Sequence, residues 1–310
     1  MFLNEELVTQ YLTLFRGRGD VYGSDDGGCV KAPLTREVFL RHLAGEEKIG
    51  VYPMVPFGDV HKVVWGCSDF DLGIEKSAES AIKLFDALEA AGVTAWIERS
   101  RSKGYHVWVF AEEPVSAEVM RNMFLVAHQV AGVPATEVNP KQTTLKSGQY
   151  GNYVRLPYAD CKNVYTENQR VFYRGTMLAG VYKTPVTLID FTRAAMACRT
   201  PVELLESIAE MYVPPAKPAN APATAEYDAT LDEAMSVLSP LGKVIWRDGP
   251  LPNKDRSSTL AKLGYESAKS GLNPSQTKTI LKTADRRWGK YYMRADGDME
   301  IDKLVVRVHA

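Results

Sequence analysis

Apolar residues recur at helical spacing over residues 4–16 and 35–44, with Asn4 and Thr35 placed as N-caps and Gly45 placed to stop the second helix. Between these helices the Gly- and Asp-rich stretch 17–28 has no apolar period and predicts a loop. A strand is predicted over 49–55, ending at Pro56, and a longer apolar one over 63–71. The period then becomes helical again over 77–91, with Ile82, Phe85 and Leu88 on one face and Gly92 as the stop. Strands follow at 93–98 and 105–110, joined by the basic loop 99–104. Ser116 caps a further helix that runs to about residue 131, where Gly132 and Pro134 end it. Shorter strand candidates lie at 136–138 and 153–156.

From residue 63 onward the order is β-α-β-β-α-β, the split βαβ arrangement of ferredoxin-like and RNA-recognition folds, so the expected fold class is α+β. Right-handed crossovers place the first strand of this set between the third and the fourth, antiparallel to both. The end of the first strand, with Asp69 and Asp71, then abuts the start of the third at His106 and the start of the fourth at Glu137. Topology alone gathers these four residues.

Beyond this region, residues 213–224 are rich in Pro and Ala, with almost no large apolar side chain, and predict an extended linker. The chain is thereby divided into a domain over 1–212, a linker over 213–226 and a mainly helical domain over 227–310. In the last of these, Asn273-Pro274-Ser275-Gln276 has the cap, N1 proline and N3 glutamine of a helix start. Leu281, Ala284 and Trp288 form an apolar face of that helix, and Lys278, Lys282 and Arg286 form a basic stripe four residues apart. A solvated face gives the same stripe.

Composition adds limits. The 310 residues are 45% hydrophobic and 24% charged, with a net charge of −1, which excludes a uniformly basic protein; any nucleic acid must meet local patches of Lys and Arg. The acidic start lacks the apolar stretch of a secretion signal, and no run approaches membrane-spanning length, so the default location is cytoplasmic. Cys29, Cys67, Cys161 and Cys198 are scattered without zinc-ligand spacing, which predicts reduced thiols and no zinc. There are no repeats and no phosphate loop of the Walker type, so any helicase must come from another chain.

The candidate chemistry starts at Asp69-Phe70-Asp71. Side chains alternate along a strand, so both carboxylates emerge on one side and offer half of a magnesium site. A strand that ends in a polar turn has the same letters. Glu137 beside the pair would bring enough negative oxygen for two divalent ions about 3.5–4 Å apart. The segment from Ser100 to His106 concentrates hydroxyls and cations in one turn and suits a triphosphate: Gly104 for close backbone approach, Lys103 as a point charge, Ser102 and His106 as donors. His106 shares a strand face with Trp108 and Phe110, a pattern that a buried structural histidine also gives. Arg155 can bridge phosphate oxygens and Asn152 can bond to sugar or base, unless the two belong to an ordinary surface hairpin.

Taken together, Asp69-Phe70-Asp71 after an apolar strand, Ser102-Lys103-Gly104-Tyr105-His106 before Val107-Trp108-Val109-Phe110, Glu137-Val138-Asn139-Pro140-Lys141-Gln142, and the run from Gly151 to Tyr158 resemble the archaeo-eukaryotic primase superfamily, nearest to its phage and mobile-element primase-polymerases. The resemblance spans about residues 3–189 and takes in the run from Arg41 to Gly45 and the run from Gly50 to Pro53. It implies a catalytic domain with a split βαβ core and an N-terminal α/β subdomain, followed by a small helical domain. The implied reaction is DNA-templated nucleotidyl transfer from NTPs or dNTPs, by two Mg²⁺ or Mn²⁺ ions, on a single-stranded DNA template and primer strand, with a separate replicative helicase as a further partner. If the gene is phage-borne, the location is the cytoplasm of the bacterial host.

By the same resemblance Asp69, Asp71 and Glu137 match the metal-binding carboxylates, His106 the nucleotide-binding histidine, and Ser102, Lys103 and Arg155 the triphosphate contacts. Lys278, Lys282 and Arg286 become candidates for contact with template DNA or an initiating nucleotide. Two positions depart from the family pattern: Gly104 stands within the Ser-x-His motif, and Asn139 stands where an aromatic is common. Two other classes share the sheet. A replication-initiator nickase needs a His-x-His pair and a tyrosine nucleophile, and a non-catalytic RNA-recognition module stacks bases on central aromatics, where this chain has carboxylates and a histidine.

Overall fold

A computed structural model describes residues 4–102, 104–173, 185–214, 231–251, 255–288, 291, 292, 294 and 296–309. Lys103 and residues 215–226 of the predicted linker lie outside them. The chain divides into two compact units, Met1–Val213 and Pro214–Ala310.

In the first unit, α1 (Glu5–Leu14) is capped by Asn4, whose side chain accepts from the Leu7 amide at 2.7 Å. The second helix, α2 (Arg36–Ala44), stops at Gly45 with φ of 83°. Strands β1 (Tyr22–Ser24), β2 (Cys29–Val30), β3 (Ile49–Val51) and β9 (Val154–Arg155) form a sheet in the order β2-β1-β3-β9. The larger sheet has the order β10 (Arg170–Phe172), β6 (Ala95–Arg99), β7 (Tyr105–Ser116), β5 (Val60–Phe70), β4 (Val55–Phe57), with β8 (Glu137–Asn139) also paired to β5. Both neighbours of β5 at its Asp69 end, β7 and β8, run antiparallel to it, as the split βαβ order requires. The crossovers are α3 (Ile74–Ala90) and α4 (Ala117–Ala131). Helices α5 (Leu188–Ala197) and α6 (Val202–Glu210) follow among the described residues.

Both faces of the larger sheet are covered. One packs Phe70, Val107 and Val109 against Leu84 and Leu88 of α3, Met120 and Phe124 of α4 and Leu205 of α6. The other packs Trp65, Cys67, Trp108 and Phe110 against Tyr11, Phe15 and Phe191. Burial on both sides is why β5 and β7 read as nearly continuous apolar runs. The second face ends at Asp69 and His106, where the core gives way to a cleft.

Several elements differ from expectation. The single strand expected over 49–55 is two strands in two sheets, β3 and β4. The loop expected over 17–28 contains the β1–β2 hairpin. Helix α3 starts at Ile74 rather than at residue 77; Ser77 is buried, and its hydroxyl accepts from the Leu72 amide at 2.9 Å. Strand β7 continues to Ser116, and the strand expected over 153–156 belongs to the smaller sheet.

In the second unit α7 (Leu231–Val237), α8 (Pro240–Asp248), α9 (Arg256–Lys269), α10 (Pro274–Trp288) and α11 (Gly297–His309) bury Ile245, Leu260, Leu263, Ile280, Leu281, Ala284 and Leu304 together. Helix α10 opens with a reciprocal capping box: Asn273 accepts from the Gln276 amide at 2.9 Å, and Gln276 accepts from the Asn273 amide at 3.0 Å. Among the described residues no helix is long and apolar enough to cross a membrane.

Candidate active site

Strand register sets the site. Glu98 on β6 lies opposite His106 on β7, His106 lies opposite Asp69 on β5, and Asp69 lies opposite Glu137 on β8. Register partners project to the same face, so the four side chains form one row across four strands, of signs minus, plus, minus, minus. Asp71, two residues beyond Asp69, is exposed past the strand end. The row floors a cleft of about 530 Å³, whose opposite wall comes from the smaller sheet and its loops, with Tyr52, Asn152, Tyr153 and Arg155.

Within the row, Glu98 is fully buried, and its Oε2 lies 2.8 Å from His106 Nδ1 and accepts from Trp108 Nε1 at 2.7 Å. His106 Nε2 lies 3.6 Å from Asp69 Oδ2. Burial works against the imidazolium, but the negative charges of Glu98 and Asp69 outweigh it and raise the His106 pKa to about 10. Burial pushes the Asp69 carboxyl up; the cation on His106, followed by Lys141 and Arg155, pulls harder and leaves it below the usual carboxylate range. At neutral pH the Asp69–His106 pair is therefore ionised.

The carboxylates suit divalent cations by chemistry: three hard-oxygen donors, Asp69, Asp71 and Glu137, line one cleft. Their side chains are not drawn together around a common point. Glu137 is ion-paired with Lys141 at 2.5 Å, and among the described residues no three His, Cys, Asp or Glu groups are close enough to hold a metal ion. Behind β8, Arg121 donates to the carbonyls of Val138 and Pro140 at 2.8 and 2.9 Å, which fixes the strand that carries Glu137. Asn139, 2% exposed, sits in the next row beneath, opposite Cys67, and its Oδ1 has no partner among the described residues.

Among the other expected residues, Arg155 and Ser102 line the cleft, as does Asn152, whose Oδ1 accepts from Gln142 at 2.9 Å. Arg155 donates to the Asp25 carbonyl at 2.8 Å, and Arg101 donates to the Asp25 carboxylate at 2.6 Å. Gly104 packs against the backbone beneath the loop; a Cβ there meets the Phe70 carbonyl oxygen at 2.5 Å. Lys278 and Lys282, in the helical unit, are paired with Asp302 at 2.5 Å and Asp298 at 3.0 Å, and the Arg286 guanidinium lies 5.8 Å from the Tyr292 ring centre. Glu98, Asp25, Arg101 and Lys141 were not among the expected site residues. Glu98 had a readable signal, a lone carboxylate within the apolar strand Ala95-Trp96-Ile97-Glu98.

Residues 29–179 match the family described as "TOTE conflict system, Archaeo-Eukaryotic Primase domain", a stretch that contains the whole cross-sheet row and Arg155. This segment belongs to the archaeo-eukaryotic primase superfamily, a family of primase-type nucleotidyltransferases. Among solved structures, the chain is similar to the primase domain of the cyanophage S-2L primase-polymerase, at 16% identity over 57% of this chain and 97% of that one, with a TM-score of 0.32. It is also similar to the polymerase domain of Mycobacterium tuberculosis Ligase D in complex with DNA, at 15% identity over 62% of this chain and 75% of that one, with a TM-score of 0.32. Primase RepB′ aligns at 15% identity over 98% of this chain and 96% of its own, with a TM-score of 0.30. No curated protein sequence matches the chain.

Proposed function

We propose that this chain is a DNA-templated nucleotidyltransferase, a primase-polymerase that makes primers or extends them from NTPs or dNTPs. The observation that carries the reading is the register row Asp69, His106 and Glu137 facing Arg155 across one cleft. The 3′-hydroxyl of a primer or initiating nucleotide attacks the α-phosphate of the incoming nucleotide, and pyrophosphate leaves. Asp69, Asp71 and Glu137 would hold two Mg²⁺ or Mn²⁺ ions, which supply Lewis-acid stabilisation of the phosphoryl oxygens and lower the pKa of the attacking hydroxyl. The chain's own cations do the rest. Arg155, Arg101, Lys103 and the His106 imidazolium neutralise the triphosphate, and the guanidinium fork of Arg155 orients it. To join such a site, Glu137 must exchange its pairing with Lys141 for the incoming charge.

In the helical unit, Lys278, Lys282 and Arg286 are our candidates for contact with template or initiating nucleotide. Phosphates there would displace Asp302 and Asp298 from the two lysines.

The test is synthesis on a single-stranded DNA template from labelled NTPs or dNTPs with Mn²⁺, with and without primer. Product is expected with the wild-type chain, and Asp69→Ala/Asp71→Ala should lower its rate by more than about 10³-fold. Extension by that double variant at the wild-type rate would sink the proposal. The Glu137–Lys141 pair favours one competitor, a domain that binds nucleotide or nucleic acid without turnover. Binding that is indifferent to EDTA, with no product, decides for it.

A further inference from the structure

Glu98 is the one member of the cross-sheet row that the proposed reaction leaves without a task. It is a fully buried carboxylate on a central strand. Its Oε2 collects two donors, and its Oε1 has no partner among the described residues. A buried carboxylate held in this way is a costly structural staple, since well-packed apolar residues often replace buried charges with no loss of stability. The donors it collects show another use.

The indole N–H of Trp108 can only donate, so Oε2 accepts there, and its second lone pair is placed to accept from Nδ1–H of His106 at 2.8 Å. The His106 ring stands at 90° to the Trp108 ring with centroids 5.5 Å apart. Rotation of the imidazole is thus blocked by a hydrogen bond on one side and an aromatic wall on the other. The remaining nitrogen, Nε2, faces the cleft. Asp69 Oδ2 is 3.6 Å from it, outside hydrogen-bonding range, so the ring holds an aimed nitrogen open to the cleft.

We propose that Glu98 is a positioning residue: with Trp108 it fixes the His106 imidazole so that Nδ1–H is committed inward and Nε2 is turned toward the bound nucleotide. This rests on the reading of the cleft as a nucleoside triphosphate site. The arrangement parallels metal-bound histidines, whose second nitrogen is held by a carboxylate that sets tautomer and orientation.

The test has two arms. In the first, selectively ¹⁵N-labelled histidine is observed in the full-length protein; there are five histidines, and loss of one signal in His106→Gln assigns the relevant one. A protonated, hydrogen-bonded Nδ1 is expected in the free wild-type protein, and addition of ATP or dATP with Mg²⁺ should shift Nε2 while leaving Nδ1 in place. An unprotonated Nδ1 in the wild-type protein overturns the proposal, whatever any variant does. In the second arm, Glu98→Ala should raise KM for the nucleotide about ten-fold or more with a smaller change in kcat. Glu98→Gln, whose amide oxygen still accepts one N–H, should recover part of that loss. Melting curves show whether either variant is folded. If product forms and folded Glu98→Ala keeps the wild-type KM, the positioning role fails while the proposed reaction stands. If the wild-type chain makes no product but nucleotide shifts Nε2 in it and not in Glu98→Ala, the reverse holds.

Discussion

Two glycines make room for the tyrosine that sets Arg155. Gly23 and Gly50 are register partners on β1 and β3, and a Cβ on either meets the Tyr153 ring, at 2.3 and 2.2 Å. With the ring seated there, Tyr153 donates to the Ser24 carbonyl at 3.0 Å, and Arg155 falls opposite Gly50 in the ladder. The methyl group of Gly50→Ala also meets the Val154 carbonyl oxygen at 2.8 Å, a backbone contact that no side-chain rotation relieves. Overpacking of this kind costs about 1–3 kcal/mol. Gly50→Ala is therefore expected to lower stability by that amount in denaturant titrations and to raise KM for nucleotide by displacing Arg155; an unchanged KM in the destabilised variant would uncouple Arg155 from the site. At this scale the sequence was readable where strand pairing gathers residues, as it does for Asp69, His106 and Glu137. It was silent on Asp25, one of several acids in a polar loop, because its partner Arg101 lies 76 positions away and on another sheet's loop.

Helix starts were legible where a side chain caps them, because caps are local chemistry. Asn4, Ser116 and Asn273 each accept from a first-turn amide at 2.7, 3.1 and 2.9 Å. Strand limits were not, because pairing decides them. Pro56 reads as a strand end, yet it lies inside β4, opposite His61; β4 is an edge strand, where a missing N–H costs nothing on the open side. Glu112, Glu113 and Pro114 similarly disguise the end of β7, where Val115 and Ser116 still pair with Val63 and Lys62 across a register shift. The first turn of α3 also hid, since its exposed Glu75 and Lys76 add nothing to an apolar stripe. The cap gives the element-scale prediction. Asn273→Ala removes one bond of the capping box and should cost about 1 kcal/mol, which lowers the melting temperature of a unit this size by about 4–8 °C. Asn273→Ser or Asn273→Asp should restore it. Full-length variants followed by far-ultraviolet circular dichroism check both, and an Ala variant as stable as wild type would show that the box contributes nothing.

Across the first unit as a whole, two buried histidines set the response to acid. His42 is fully buried; its Nδ1 accepts from the Ile49 amide at 3.2 Å and its Nε2 faces the Pro157 carbonyl at 3.0 Å, so it fits as the neutral Nε2–H tautomer, tying α2 to β3 and to the chain after β9. A second proton would set N–H against N–H. His128 joins α4 to Ser68 of β5 at 2.8 Å and to the Val133 carbonyl at 3.2 Å. Burial lowers both, each to about 4 from an ordinary 6.5. The unfolded chain therefore takes up these protons first. Their contribution to stability is complete above pH 6.5 and is lost as pH falls toward 4, about 3 kcal/mol for each group. His106 acts with the opposite sign: raised to about 10, it favours the folded state most fully below pH 6.5 and loses that effect as pH climbs toward 10. Stability should peak near neutrality. Between pH 6 and 5 it should fall by about 2–3 kcal/mol, the slope of two protons. His42→Gln separates the two contributions, because a glutamine oxygen can accept from Ile49 while its amide donates to Pro157, with nothing to titrate. Urea titrations from pH 8 to 4.5 should show about half the wild-type slope in that variant, and an unaltered slope would place the acid sensitivity elsewhere.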